Sequence, residues 1–188
     1  MPRLLLLFIP FLLCAWQEYK EIDNIRIYKK HDKKFKFVQF KADLLISSSI
    51  EQVSRVILDT RTYTSWLSDC IEAKPLEENI YLRMQPPWPL NQRQVIAKLE
   101  VQDYGKRRKI SLISLNEHST NSSAIWFNYL YAEFILEQGD NNQTKVTLSL
   151  LGDPGGYPPS WIVNLMAWKI PYQSLRDLNI YLQKSKIQ

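Results

Sequence analysis

The sequence has little of several residues on which common active sites depend. It contains 2 cysteines, 2 histidines and 5 glycines among 188 residues. If an N-terminal signal peptide containing Cys14 is removed, Cys70 is the one cysteine left, and a single thiol cannot form an internal disulfide. The hydrophobic core must then hold the fold. No zinc-ligand spacing and no glycine-rich phosphate loop is found. The sequence therefore predicts no metal site.

Long hydrophobic runs are also missing. The most apolar stretch, residues 4–13, follows Arg3 and is too short to span a bilayer as an ordinary helix. A positive charge, an apolar stretch and then polar sequence are typical of a signal peptide. We predict a signal peptide over residues 1–15, a domain over residues 16–188, and export to the periplasm or out of the cell. The alternatives are an uncleaved anchor, a first core element, or a lipoprotein modified at Cys14.

Positive charge is in slight excess. The chain has 24 lysines and arginines against 19 acidic residues, a formal charge of +5. This balance permits contact with an anionic membrane without requiring it. The densest cluster, residues 29–36, is interpreted as a solvated hairpin turn, because no arginine-rich helix or RNA-reading aromatic motif accompanies it. We expect a monomer with no nucleic-acid partner.

Alternating apolar and polar residues predict about seven strands, from "NIRIYKKH" to "TKVTLSLL". A helix is predicted in "SSSIEQVSRVILDT", with Ser48 or Ser49 as its N-cap. A long final helix is predicted from Pro159 to about Gln183, bent near Pro171. The order is β-β-α followed by five strands and a helix, which predicts an α+β fold. We expect the sheet to curl and the last helix to cross its concave face.

The last strand and the last helix are joined by "GDPGGYPPSW", which holds three of the 10 prolines and three of the 5 glycines. Gly155 and Gly156 can adopt backbone angles that other residues avoid, and the prolines stiffen the flanks. This joint therefore fixes the angle between the helix and the sheet. The stripe that follows is rich in aromatics, and it either lines a cavity or fills a core. Its members are Trp161, Leu165, Trp168, Tyr172, Leu175 and Leu182.

Four stretches carry a resemblance to a known family. They are "SIEQVSRVILDTRTYTSW", "PPWPLNQRQVI", "WFNYLYAEFILEQ" with "TKVTLSL", and "DPGGYPPSWIVN". In this order they resemble the START (steroidogenic-acute-regulatory-related lipid-transfer) domain of the helix-grip superfamily, over about residues 20–185. One departure is Gln94, since the family more often has aspartate after the arginine. Any charge network that the aspartate supports is in doubt here.

The resemblance implies a curved antiparallel sheet of about seven strands that grips a long C-terminal helix. It further implies a deep apolar tunnel between them, a lipid, sterol or isoprenoid ligand, and no cofactor. Trp88 in the "PPWPL" loop either contacts the bilayer at the tunnel entry or packs within its loop. The predicted tunnel-lining residues are Trp66, Met84, Arg93, Val95, Ala97, Leu99, Leu130, Phe134, Leu148, Trp161, Leu165, Trp168 and Tyr172.

Arg93 is the one charged residue on these inward faces. A buried arginine needs a partner. It either pairs with an acid such as Glu133, meets a ligand head group, or lies at the strand end in water. Alternation places Glu133 on the face opposite Phe134, which weakens the first option.

Catalytic residues are hard to assemble from this sequence. His31 and His118 lie in polar stretches, and the serines at residues 47–49 fit a helix start. Asp69 adjoins Cys70, but no histidine can be placed beside the thiol. We therefore predict a binding protein and no enzyme. The alternatives are a polyketide cyclase or aromatase of the same fold, and a secreted interaction protein whose cavity is filled core.

Overall fold

The computed structural model describes residues 15–32, 34–116 and 123–185. The described chain forms one ten-stranded sheet in the order β1-β2-β3-β10-β9-β7-β6-β5-β4, with β8 attached to β6. The strands are β1 (Gln17–Ile22), β2 (Ile25–Lys30), β3 (Gln39–Ile46), β4 (Cys70–Leu76), β5 (Asn79–Met84), β6 (Arg93–Asp103), β7 (Arg107–Ser114), β8 (Ile125–Trp126), β9 (Tyr129–Gln138) and β10 (Thr144–Asp153).

The predicted fold class is confirmed, but the strand count is higher than expected. Neighbouring strands along the main path pair antiparallel. The exception is β8, which runs parallel to β6 beside Arg93 and Gln94. Alternation failed to predict β1 and β4, and it placed the residues of β8 in one long strand with β9. Both β1 and β4 are edge strands with mostly exposed side chains, and β8 has only two residues, so none carries a clear apolar face.

Four helices of the described chain pack on the sheet or close its connections. The first, α1 (Ile50–Leu58), begins with a capping box. The side chain of Ser49 accepts a hydrogen bond from the backbone of Gln52, and the Gln52 side chain accepts one from the backbone of Ser49. The structure thus selects Ser49 as the cap. A 3-10 turn (Thr60–Thr62) leads into the one-turn α2 (Tyr63–Trp66).

The predicted single C-terminal helix is two helices, α3 (Ser160–Met166) and α4 (Lys169–Ser185). The expected bend at Pro171 is wrong, because the break falls at Ala167 and Trp168. Pro171 is the third residue of α4, where a backbone N–H has no partner inside the helix. The carbonyl of Ala167 receives only a long contact, 3.4 Å, from the N–H of Ile170.

The glycine pair of the joint is required by its surroundings. Gly155 and Gly156 both have φ of +67°. A β carbon on Gly155 would lie 2.1 Å from the carbonyl oxygen of Trp126 in β8. The joint therefore lies in direct contact with β8. This contact is in keeping with the stiffness predicted for the joint. This contact fixes where α3 starts relative to the sheet.

The core lies between the inner sheet face and α4. The predicted inward faces are confirmed in the middle of the sheet, where Ala42, Ala97 and Leu148 are buried. Burial of these faces decreases towards the strand ends, where Val101 is 47% exposed. Helix α4 packs against β2, β3 and β10 on one side and α2 on the other.

Some sequence predictions fall outside the described residues. They are the first 14 residues of the predicted signal peptide, with Cys14, and the polar loop with His118. Among the residues described, no helix has both the length and the hydrophobicity to cross a membrane.

Candidate functional site

An apolar cavity of about 240 Å³ lies between the sheet and the junction of α3 with α4. The sheet contributes its floor, and the loops after β2 and β5 contribute its sides. The apolar lining includes Phe37, Val38, Phe40, Leu67, Leu82, Met84, Pro86, Pro87, Leu90, Leu112, Phe127, Leu130, Ala132, Leu150, Pro154, Val163, Met166, Ala167 and Ile170. The polar lining consists of Arg93, Asp69, Lys169 and Gln173.

The other end of the core is filled. The ring of Trp66 meets that of Phe134 edge to face, with centroids 5.9 Å apart. Leu175 and Leu178 of α4 are completely buried there. The indole N–H of Trp66 donates to the hydroxyl of Thr62 at 2.9 Å, so burial leaves no unpaired donor. The expected deep tunnel is therefore a cavity at one end of the helix.

The structure brings three of the predicted lining residues to the cavity wall, Met84, Arg93 and Leu130. Others lie in the packed core beside it: Trp66, Val95, Ala97, Phe134 and Leu148. A third group is partly buried and packs against the core without reaching the cavity: Leu99, Trp168 and Tyr172. Whether any of them contacts a ligand stays a prediction.

Trp161 and Leu165 lie outside the cavity, contrary to the expectation. They are 68% and 63% exposed. Because the predicted helix is broken, the residues of α3 that face the sheet are not those of the predicted stripe. Val163 and Met166 line the cavity instead. Trp168, at the break, packs near the rings of Tyr19 and Tyr172.

Arg93 is buried, with 3% of its surface exposed. Its Nε donates to the carbonyl of Pro154 at 2.7 Å, and its Nη1 donates to the carbonyl of Asn91 at 2.5 Å. No described carboxylate lies within ion-pair distance of it. Burial lowers the pKa of Arg93, as expected for a cation removed from water. The option of a strand end in water is therefore wrong.

Pairing of Arg93 with Glu133 is also wrong. Glu133 lies on the outer sheet face, where its carboxylate accepts from Lys109 at 2.6 Å and from the hydroxyl of Tyr131 at 2.5 Å. Partial burial raises the pKa of Glu133, but these hydrogen bonds outweigh it and hold that pKa below its usual value. This network supports the sheet and has no access to the cavity.

Gln94 is at the position where the START family more often has aspartate, and its side chain makes two hydrogen bonds that support the fold. Its Nε2 donates to the carbonyl of Ala124 at 2.8 Å, and its Oε1 accepts from the hydroxyl of Tyr81 at 3.0 Å. A carboxylate could not make the first bond, because it has no N–H. The amide therefore ties the segment before β8 to β6.

The polar side chains of the cavity lie where α4 begins. Burial raises the pKa of Asp69, while a hydrogen bond with Ser68 and the charge of Lys169 oppose this shift. The hydroxyl of Ser68 donates to Gln173 at 2.9 Å, and its backbone N–H donates to Ser174 at 3.1 Å. These bonds fasten the start of α4 to the loop before β4.

Helix α3 is held more weakly. None of its side chains is fully buried. Its side-chain link to the rest of the described chain is Asn164, whose Oδ1 accepts from the N–H of Val38 at 2.9 Å. Because α3 forms one wall of the cavity, its displacement would open the cavity.

The comparisons with known proteins agree with this architecture. No protein-family model matches the chain. An uncharacterised protein of Pseudomonas aeruginosa is 21% identical over 176 residues, which cover 90% of this chain and 87% of that protein. The human phosphatidylcholine transfer protein is 24% identical over 174 residues, covering 87% of this chain and 81% of that protein.

Solved structures match over most of the chain. A STAR-related lipid transfer protein from Xanthomonas axonopodis superposes with a TM-score of 0.80 at 19% identity, covering 89% of this chain and 98% of that one. Human StAR-related lipid transfer protein 5 gives 0.81 at 10% identity, covering 91% and 88%. This chain has the START-domain fold.

Within this START fold, sequence reasoning missed much of the cavity wall. Phe37, Val38 and Phe127 lie between the strands of the structure and were not among the predicted lining residues. Val163 and Met166 were not on the stripe predicted for the last helix. The joint was a better indication of where the cavity lies, because it marks where the chain passes from the sheet edge into the last helices.

The described residues supply little for catalysis or metal binding. No group of histidine, cysteine and acidic side chains among them could hold a metal ion. Burial raises the pKa of the Cys70 thiol to about 11, and its backbone hydrogen bond to Glu72 opposes this only in part. His31 is exposed, as predicted.

Large apolar side chains are exposed beside the cavity. Trp88, in the loop that contributes Pro86, Pro87 and Leu90 to the wall, is 91% exposed. Tyr157, in the joint before α3, is 95% exposed. With Trp161 and Leu165 on α3, these side chains flank the cavity on two of its walls.

Proposed function

We propose that this protein binds one hydrophobic ligand, a lipid, sterol or isoprenoid, in the cavity between the sheet and the α3–α4 junction. The observation that carries the proposal is an apolar cavity at one end of the core, beyond the side chains packed around Trp66 and Leu178. Similarity to proteins named for lipid or phosphatidylcholine transfer supports it.

Binding would be passive, with no catalytic step. Burial of ligand surface contributes about 25 cal/mol per Å², from which the cost of association is subtracted. No histidine or cysteine lines the described cavity, and Asp69 is its only carboxylate. For acid-base chemistry a cyclase would have only Asp69 and Lys169 in the described wall, which is otherwise mostly apolar. Binding therefore fits the wall better than catalysis.

Ligand entry would require α3 to move. The hydrogen bond between Asn164 and Val38 would break, and Val163 and Met166 would leave the cavity. Helix α4 would stay in place, because Leu175, Leu178 and Ser174 anchor it. The joint would hold the start of α3, and the break at Ala167 and Trp168 would act as the hinge.

Delivery would occur at a membrane surface. The exposed Trp88, Tyr157, Trp161 and Leu165 are of the kind that enter the headgroup region of a bilayer. The positive net charge would favour anionic lipids. We further propose that residues 1–15 direct export, and that the protein acts as a monomer outside the cytoplasm.

The test is to purify the protein without detergent and measure its mass in native mass spectrometry. Solvent extraction of the same sample then identifies any released molecule. The proposal predicts one hydrophobic ligand per chain. A mass equal to that of the chain alone, unchanged after incubation with lipid vesicles, would contradict it.

A further inference from the structure

We propose that Arg93 makes the cavity selective for an amphiphile with an anionic head group, a carboxylate or a phosphate, on a single apolar chain. This inference rests on the proposed function and narrows its ligand class. The hydrogen bonds of Arg93, the charges of the cavity wall and the cavity volume support it.

The guanidinium has more donors than the protein uses. It carries five N–H groups. Nε bonds Pro154 and Nη1 bonds Asn91, both backbone carbonyls. No described residue accepts from Nη2, and this atom is not among the fully buried polar atoms that lack a partner. Arg93 also lines the cavity, so its remaining donors have room for an acceptor there.

The charge of Arg93 is uncompensated within the described chain. No carboxylate lies within 4.0 Å of it, whereas other described arginines, such as Arg83, Arg108 and Arg176, do pair with acids. A cation buried in an apolar wall without a counter-charge is costly. An anionic head group would supply the missing charge, with two N–H donors in the geometry that guanidinium offers to carboxylate and phosphate.

The other charged groups of the wall do not cancel this cation. Lys169 adds a second positive charge at the start of α4. Asp69 is the one acid in the described wall, and burial disfavours its charged form. It makes no ion pair with Arg93. The wall therefore offers a net positive potential to a ligand head.

The two carbonyl contacts also show how the site is built. Asn91 and Pro154 hold the guanidinium from the strand start and from the joint. Neutral donors would suffice for two carbonyls, so these bonds do not require a full charge. They instead place the cation at the cavity wall. Arg93 is thus positioned by the same joint that sets α3.

The size of the cavity limits the rest of the ligand. Its volume of about 240 Å³ lies just below the range of roughly 300–1,000 Å³ that is usual for small-molecule pockets. This space suits one apolar chain better than two. A fatty acid or a single-chain phospholipid with an exposed phosphate has this form.

The experiment compares matched probes on the wild-type protein at pH 8. The fluorescent cis-parinaric acid and its methyl ester share one chain and differ only in head charge. We expect the acid to bind at least ten-fold more tightly. Lysophosphatidic acid and a monoacylglycerol of equal chain length, used as competitors, form a second pair that distinguishes phosphate from carboxylate.

Two variants then assign the effect to Arg93. Arg93→Gln should weaken binding of the acid at least ten-fold and leave binding of the ester unchanged. Arg83→Gln, on the neighbouring strand and outside the described cavity wall, should change neither. If Arg93→Gln fails to fold, Lys169→Gln separates the two cations of the wall. A preference for the acid that is lost in Lys169→Gln would overturn the inference, and a preference that is kept would support Arg93 as its source.

Equal binding of the charged and neutral members of both pairs would overturn this inference while leaving the proposed function in place. Failure of all four probes to bind would also overturn it, and the proposed function would fall only if native mass spectrometry found no hydrophobic ligand either. A preference for lysophosphatidic acid with no preference for parinaric acid would support the inference with phosphate as the head group.

Discussion

The two ends of the core use the same sheet and the same helix, yet one is solid and the other is hollow. At the solid end, Leu178 of α4 is completely buried, and Trp66 packs edge to face against Phe134. At the hollow end, α3 has no fully buried side chain and borders a cavity of about 240 Å³. The difference shows that the space between helix and sheet depends on how the helix begins.

The joint before α3 explains the hollow end. Gly155 packs against the carbonyl of Trp126, and Arg93 bonds the carbonyl of Pro154. These contacts hold the start of α3 at the sheet edge. The break at Ala167 and Trp168 then lets α4 descend onto the sheet. Contacts with backbone carbonyls therefore maintain the cavity, whereas side-chain packing stabilises the solid end.

The largest effect is expected from Gly155→Val. Its β carbon would collide with the Trp126 carbonyl, and valine disfavours a φ of +67°. We expect the free energy of unfolding to fall by about 4 kcal/mol or more. The control is Gly105→Val, with φ +75° and no atom within 4 Å of its β carbon. It has similar backbone strain without the collision. Equal losses in chemical denaturation would show that the joint contact is unimportant.

A smaller effect should separate the two ends directly. Leu178→Ala removes a completely buried side chain at the solid end, and we expect a loss of about 2–5 kcal/mol. Leu130→Ala removes a partly buried side chain that already faces the cavity, and we expect a loss of about 1 kcal/mol. Urea titration of both variants gives the comparison. A larger loss for Leu130→Ala would mean that the cavity wall is as tightly packed as the solid end.

The smallest effect concerns the motion of α3. Asn164→Ala removes the side-chain acceptor for the N–H of Val38. We expect a loss of about 1 kcal/mol and faster hydrogen exchange in α3, with α4 unchanged. Asn179→Ala, on the middle of α4, is the matched control. Exchange that rises equally in both helices would contradict independent opening of α3.

Alternation and helix capping predicted much of the fold. The inward faces of β3, β6, β9 and β10 and a serine cap of α1, at Ser48 or Ser49, followed from local patterns, and the structure selects Ser49. The edge strands did not, because the side chains of β1 and β4 are mostly exposed and carry no one-sided pattern. Local pattern thus predicts strands that have one buried face.

The cavity was harder to predict than the fold. The alternation of inward-facing residues is the same at both ends of the sheet, so it cannot show which end is hollow. Val95 and Phe134 were expected at the cavity, but they lie in the packed core. Trp161 and Leu165 were misplaced because the stripe was read through a helix break that depends on the contacts of the joint. The environment of Arg93 depends on partners from Asn91 and Pro154, one of which lies 61 residues away.

The most direct test of the account is to fill the cavity without touching the solid end. Leu130→Trp places a larger side chain into the cavity, and tryptophan is well tolerated in strands. Ile180→Trp, at a partly exposed position of α4, adds bulk outside the described cavity wall. Native mass spectrometry should show ligand on the wild type and Ile180→Trp, and none on a folded Leu130→Trp. Ligand retained by Leu130→Trp at the wild-type level would contradict the claim that this cavity is the binding site.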